Sequence, residues 1–155
     1  MLRVFIFCFL FATASAWAGE GKVLKVLPQL LDKEGRHALS PSLYERDAYQ
    51  FILRRAPSKQ AALRLAIQWK AKKVDPSKLK LRAEMRGLLG DKLGTVTIEE
   101  PVKKPGYFSN WSEVKLEGDK FHKFGQLVAW RVSLWEGDKQ LSQMQSFLWS
   151  GVTTN

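Results

Sequence analysis

Hydrophobic and polar side chains alternate one by one along residues 63–72 and again along residues 79–86. Because successive side chains of a β-strand point to opposite faces, this alternation predicts two strands that each bury one face. Turn-forming residues at 74–77 separate the two strands, so we predict that they form a hairpin. Shorter β-favouring runs at 95–99 and 111–117 predict two more strands.

A second hairpin is predicted near the C-terminus, where two β-favouring stretches, 126–136 and 139–149, flank the dipeptide Gly-Asp at 137–138. A Gly-Asp pair between two such stretches is typical of a tight two-residue turn. The register that this turn sets places Leu134 opposite Leu141, as an apolar cross-strand pair.

One segment has a helical period instead. Ser42 and Glu45 form a capping-box pattern that predicts a helix start, and Pro57 ends the run. Between them an apolar stripe repeats at spacings of three and four residues, which predicts a helix of about three turns. The stripe consists of Tyr44, Ala48, Phe51 and Ile52.

The N-terminal residues 1–18 have the pattern of a signal peptide. Arg3 precedes an apolar run at 4–12, which is shorter than the ~20 residues that a membrane-spanning helix needs. Small residues precede the bond between Ala18 and Gly19, so we predict cleavage there and export to the periplasm or the medium. An uncleaved N-terminal anchor is the alternative. No second apolar stretch of spanning length follows, so no transmembrane helix is predicted after cleavage.

Three segments are therefore predicted: the signal peptide 1–18, an N-terminal arm with a short helix over 19–60, and a β-sandwich domain over 61–155. Within the arm, an apolar run at 23–27 ends at Pro28 and predicts an edge strand or an anchoring arm.

Charge and cysteine content change this picture in two ways. The chain has 25 Lys and Arg against 15 Asp and Glu, a formal net charge of +10, and its one cysteine, Cys8, lies in the predicted signal peptide. The mature chain would then fold without disulfides, which favours a bacterial exported protein over a small animal secreted domain. Residues 110–112 match the N-glycosylation acceptor pattern, which matters only in a eukaryotic source.

Six or seven short strands with turns between them predict a mainly β fold, an antiparallel β-sandwich. Over residues 60–149 this pattern resembles immunoglobulin-like and fibronectin type III-like sandwiches. The chain lacks the cysteine pair of immunoglobulin domains, so the resemblance implies that Trp69 and Trp130 fill the core between the sheets. The segments 40–50 and 146–149 also resemble uncharacterised exported bacterial proteins, a resemblance that implies no activity.

Motifs for catalysis, metals and cofactors are missing from the sequence. It contains no phosphate-binding glycine loop and no nucleophile elbow. His37 and His122 lie far apart with no cysteine near either, and Glu99 and Glu100 should point to opposite faces of a strand. We therefore predict no catalytic residue, no metal site and no cofactor.

The polar face of the predicted 63–86 hairpin is basic, with Glu84 as its one acid. Its cations are Arg64, Lys70, Lys72, Lys80, Arg82 and Arg86. Such a face attracts polyanions, although Lys and Arg also keep an exposed sheet soluble and discourage edge pairing. Export and the lack of interleaved aromatic residues argue against nucleic acid.

Trp111 and Trp135 are candidate contact residues, since large aromatic side chains often anchor interfaces; packing at the core or an edge is the alternative. The sequence thus predicts a non-catalytic exported binding or structural module. Its partner would be an anionic envelope component or another exported protein. The alternative is a small hydrolase or lyase acting on an extracellular polymer. A pocket that brings His37 or His122 beside carboxylates would favour that alternative.

Overall fold

The computed structural model describes residues 19–102, 105–106 and 108–151 of the protein. The predicted signal peptide lies outside the described residues. As predicted, the described chain is mainly β and forms two antiparallel sheets.

The described residues form seven strands and two α-helices. The strands are β1 (Glu20–Asp32), β2 (Gln60–Lys72), β3 (Leu79–Leu89), β4 (Lys92–Pro101), β5 (Asn110–Glu117), β6 (Gln126–Glu136) and β7 (Lys139–Gln145). The helices are α1 (Leu43–Arg55) and α2 (Gly118–Phe124). The strand order is β1-β2-β5 in the three-stranded sheet and β4-β3-β6-β7 in the four-stranded sheet.

The predicted hairpin of β2 with β3 is wrong, because these strands belong to different sheets. Between them the chain turns at Lys73, which has a positive φ of 54°, and passes through a short 3₁₀ turn at Pro76–Lys78. Each strand has one apolar face, and both faces contribute to the same core cluster. Two strands of this kind bury more apolar surface when their sheets pack face to face than when the strands lie side by side.

Trp69 lies at the centre of this core, with 1% of its surface exposed. Its indole Nε1–H donates to Ser112 Oγ at 2.9 Å, which satisfies the polar atom of an otherwise apolar side chain. Trp130, which was predicted to be equally buried, is only partly buried and packs against the edge of the cluster.

β1 is an edge strand, one of the two alternatives for the N-terminal apolar run, but it does not end at Pro28. It pairs with β2 along its length and continues to Asp32. Proline is tolerated there because an edge strand has a side on which no ladder hydrogen bond is needed. The residues that were assigned to an arm thus contribute one strand of the three-stranded sheet.

α1 forms where the sequence predicts it, between β1 and β2, but its orientation differs from the prediction. Ser42 is the N-cap residue, yet its side chain makes no capping hydrogen bond. The apolar stripe faces solvent, with Tyr44 84% and Phe51 52% exposed. The buried face instead carries Gln50 and Leu53, which pack beside β1.

The C-terminal hairpin of β6 with β7 is confirmed, but the second strand is shorter than the predicted 139–149: β7 ends at Gln145, and Phe147–Trp149 form a 3₁₀ turn. Gly137 turns with a φ of 57°, and Glu136 pairs with Lys139. Leu134 faces Ser142 rather than the predicted Leu141, because the register of the ladder shifts between Leu134 and Trp135. A bulge of this kind gives one strand an extra residue and so displaces every later pair.

Candidate functional site

The six cations of the predicted basic face do not share one surface. Because β2 and β3 lie in different sheets, their polar sides form the opposite outer faces of the molecule. The outer face of the three-stranded sheet carries Arg64, Lys70 and Lys72, whereas that of the four-stranded sheet carries Lys80, Arg82 and Arg86. The prediction of a single basic face is therefore wrong, and its residues must be considered in two groups.

The cations of the four-stranded sheet are engaged within the protein. Lys80 Nζ and Arg82 Nε bind the carboxylate of Glu99 at 3.0 and 2.6 Å. Those hydrogen bonds hold the pKa of Glu99 below its ordinary value. Arg86 Nη1 donates to the carbonyl oxygen of Trp149 at 2.7 Å. Much of the positive charge on this face is thus neutralised by a carboxylate or held in hydrogen bonds within the protein.

Aromatic rings complete the outer face of the four-stranded sheet. The guanidinium of Arg82 lies 4.5 Å from the ring centre of Trp135, which is half-buried. The Trp149 ring lies 3.9 Å from the guanidinium of Arg86 and 4.8 Å from that of Arg131. These cation–π contacts favour the packing role for Trp135 over the role of a free contact residue.

Arg64, the first cation of the three-stranded sheet, is also engaged. Its guanidinium donates to Gln29 Oε1 and forms an ion pair with Glu113 at 2.7 Å, and only 14% of the side chain is exposed. Glu113 has a second cation, Lys115, at 3.2 Å. At this end of the outer face, both cations are therefore paired with a carboxylate.

The other end of the same outer face concentrates positive charge where β1 begins and β2 ends. Four exposed lysines lie there and are called the lysine face below: Lys22, Lys25, Lys70 and Lys72. In the described part of the chain, no carboxylate forms a salt bridge with any of them. The one acid in register with them is Glu20, opposite Lys72.

Trp111 adjoins the lysine face. The register places Lys25, Gln68 and Trp111 in one row across the three strands, and Lys70 lies in the next row on the same face. The Trp111 ring is 53% exposed. Two of the features that the sequence singled out separately, part of the basic set and one tryptophan, are thus neighbours in the fold.

The lysine face has the chemistry of an anion-binding surface. Each ammonium group is a compact charge on a flexible stem, able to follow an irregular anionic ligand rather than a fixed planar one. A groove of about 180 Å³ lies on this face and is lined by Glu20, Gly21, Lys22, Lys70, Ala71 and Lys72. Three of the six lining residues are lysines and one is a carboxylate, Glu20, so the net charge of the groove is positive and suited to binding an anion.

The sequence did not indicate Lys22 and Lys25 as members of this face. They lie three positions apart, and in a regular strand they would point to opposite sides of the sheet. A register shift between Val23 and Lys25 inserts one extra residue, and the bulge turns both lysines outward. The bulge, and with it the direction of the two lysines, is seen only in the pairing of β1 with β2.

The two histidines do not form a catalytic arrangement. Burial lowers the pKa of His37, and the positive charges of Arg64 and Arg46 lower it further. His122 lines a cavity whose described lining does not include His37. Within the described residues, no three His, Cys, Asp or Glu side chains come together as a metal site, and no carboxylate lines that cavity.

The N-glycosylation pattern at 110–112 falls on a structural residue. Asn110 Oδ1 accepts a hydrogen bond from the Gly106 N–H at 2.7 Å, and its Nδ2 is buried. A glycan joined to that nitrogen would not fit the folded chain.

Comparison with known protein families, curated proteins and solved structures finds no significant match to this chain. Neither α-helix of the described residues is long and apolar enough to cross a membrane.

Proposed function

We propose that the protein is an exported, non-catalytic binding module that holds an anionic polymer of the cell envelope or the extracellular space on its lysine face. The observation that carries this proposal is a cluster of four exposed lysines beside the exposed ring of Trp111, with no salt bridge to any of the four within the described residues. The proposed export rests on the signal-peptide pattern of residues 1–18.

We further propose that the scaffold is an immunoglobulin-like sandwich. With the strands lettered A to G in chain order, the sheets are A-B-E and D-C-F-G. A constant-type immunoglobulin domain has the sheets A-B-E-D and C-F-G. The two arrangements differ in the partner of one edge strand, D, which is β4 here. This near-agreement in strand order supports the proposal.

Affinity for a polymer follows from several weak contacts made together. A lysine that binds an anionic group of the polymer releases a condensed counterion, so the logarithm of the binding constant falls linearly with the logarithm of the salt concentration. Four such contacts give a slope of roughly −3 to −4 if the polymer has a charge density like that of nucleic acid. Trp111 adds apolar contact area at the edge of the cluster.

The test compares two variants of the mature chain, residues 19–155, with equal changes in net charge. One replaces all four lysines of the lysine face by glutamine. The matched control replaces four exposed lysines from elsewhere on the surface, namely Lys33, Lys59, Lys92 and Lys123. Retention on immobilised dextran sulfate is measured as a function of salt concentration.

We expect the lysine-face variant to elute at a much lower salt concentration than the wild type and to show a shallower salt dependence. The control variant should stay close to the wild type. Equal shifts of the two variants would mean that the net charge, not the lysine face, governs retention, and the proposal would then be wrong.

A further inference from the structure

A cavity of about 490 Å³ opens at the end of the molecule opposite the lysine face. Strands of both sheets and both helices contribute to it, and its walls are mixed, with more apolar than polar surface. The leucine and phenylalanine side chains of the lining are Leu30, Leu63, Leu88, Leu89, Phe121 and Leu127. A cavity of this size falls within the range of roughly 300–1,000 Å³ that is typical of small-molecule sites.

Close backbone packing forms the wall on the side of β3 and β6. Gly125 has a φ of 73°, and a Cβ at this position would collide with the backbone of Leu88. A Cβ at Gly87 would likewise collide with the carbonyl oxygen of Phe124. The ladder between the two strands also shifts register beside Gly87. The wall is therefore a specific product of the fold and not a loose gap between side chains.

The mouth of the cavity combines apolar groups with one guanidinium, that of Arg54. Leu88 and Leu89 are 41% and 52% exposed, so apolar surface reaches the solvent at this mouth. Arg54, in the last turn of α1, and His122, in α2, also line it. Among the described lining residues there is no Asp or Glu, so the charge at the mouth is complementary to an anion.

We propose that this cavity binds a long-chain carboxylate, with the alkyl chain against the leucines and Phe121 and the carboxylate at Arg54. Removal of the chain from water supplies the driving force, and the guanidinium pairs with the head group. The site goes beyond the proposed function and does not depend on it, because it uses none of the residues of the lysine face.

Isothermal titration of mature wild-type protein with dodecanoate, below the concentration at which it forms micelles, tests the proposal. Dodecyltrimethylammonium has the same chain with a cationic head, and butanoate has the same head with a short chain. Arg54→Gln removes the proposed partner. Its matched control is Arg55→Gln, which removes the next arginine of the helix, one that stacks on Phe51 and does not line the cavity. Gln126→Trp fills the cavity from an exposed lining position.

We expect one dodecanoate per chain, with at least tenfold weaker binding of the cationic amphiphile and no measurable binding of butanoate. Arg54→Gln should weaken dodecanoate binding at least fivefold, Arg55→Gln less than twofold, and Gln126→Trp should abolish it. The variant that lacks the four lysines of the lysine face should bind dodecanoate as the wild type does. The proposal is overturned if folded wild type does not bind dodecanoate saturably, if both head groups bind equally, or if the two arginine variants lose affinity equally.

Discussion

The side chain of Gln50 in α1 forms hydrogen bonds with both backbone groups of Leu30 in β1. The Leu30 N–H donates to Oε1 at 2.8 Å, and Nε2 donates to the Leu30 carbonyl oxygen at 2.9 Å. The amide thus occupies the position that a neighbouring strand would take beside β1. Because a free strand edge is a site for unwanted pairing, the helix also protects this edge.

Loss of this amide should destabilise the fold. Gln50→Leu leaves the backbone groups of Leu30 without their partner in a largely buried place, which costs about 1–3 kcal/mol. Ile52→Ala, on the exposed side of the same helix, should cost much less. Urea unfolding of both variants measures the two costs, and a larger loss for Ile52→Ala would show that the helix packs with its other face.

The same contact explains why the sequence predicted the helix but not its orientation. The limits of α1 follow from local signals, the start near Ser42 and the proline at 57. The face that packs depends on what the rest of the chain presents to it, and here that is a strand edge with free hydrogen-bonding groups. A polar glutamine satisfies such an edge better than the apolar stripe through Tyr44 does.

The strands themselves were predictable from the local sequence, as was the hairpin of β6 with β7 across its two-residue turn, but the partners of β2 and β3 were not. The alternation along β2 and β3 correctly indicates which side chains are buried. Whether two such strands are neighbours in one sheet or face each other across a core depends on the connection between them and on the other strands. The prediction of a single basic face was wrong for the same reason, because it combined residues that lie on two opposite surfaces.

Burial differences among the tryptophans give a second prediction. Trp69→Ala should cost about 3–5 kcal/mol, because a large side chain is removed from the centre of the core. Trp130→Ala should cost less, since that ring is only partly buried, and Trp111→Ala should cost least of the three. Thermal and urea unfolding of the three variants give the order, and a different order would contradict the positions of these rings.

A third prediction concerns the pH dependence of stability through Asp32, at the end of β1. Burial alone would raise the pKa of this carboxyl group. Hydrogen bonds from the Tyr49 hydroxyl at 2.6 Å and from the backbone and guanidinium of Arg36 outweigh burial, and the pKa is lowered from 3.8 to about 2. A carboxyl group whose pKa is lower in the folded state stabilises the protein when it is ionised.

The contribution of Asp32 should therefore be complete above about pH 5 and decline as the pH falls through 3.8 towards about 2. Asp32→Asn should lower the free energy of unfolding at pH 7, and the difference from the wild type should shrink below pH 4. Asp47→Asn, which breaks a surface pair with Arg46, serves as the control and should have little effect at any pH. A difference for Asp32→Asn that does not change with pH would show that the carboxylate charge has no part in it.

The last prediction follows from the position of Lys22 directly opposite Lys70 in the ladder of β1 with β2. Like charges in opposite positions on paired strands destabilise a sheet, and opposite charges stabilise it. Lys70→Glu should therefore raise the free energy of unfolding by a few tenths of a kcal/mol at low salt, and Lys22→Glu should do the same. In both cases the gain should disappear at high salt, where exposed charges are screened.

The double variant Lys22→Glu with Lys70→Glu separates stability from binding. Its two carboxylates again repel each other, so its stability should return towards that of the wild type, and the cycle should be strongly non-additive. Retention on dextran sulfate should instead fall with each replacement and be lowest in the double variant, because each removes a cation and adds an anion. If the lysine face serves only solubility, retention will fall no further than in a control with the same change in net charge, Lys33→Glu with Lys59→Glu. The stability cycle does not depend on that outcome. If the two lysines are not neighbours, the stability effects will simply add. The chain thus keeps a repulsive pair that either single replacement would relieve, and the proposed binding of an anionic polymer gives that cost a physical reason.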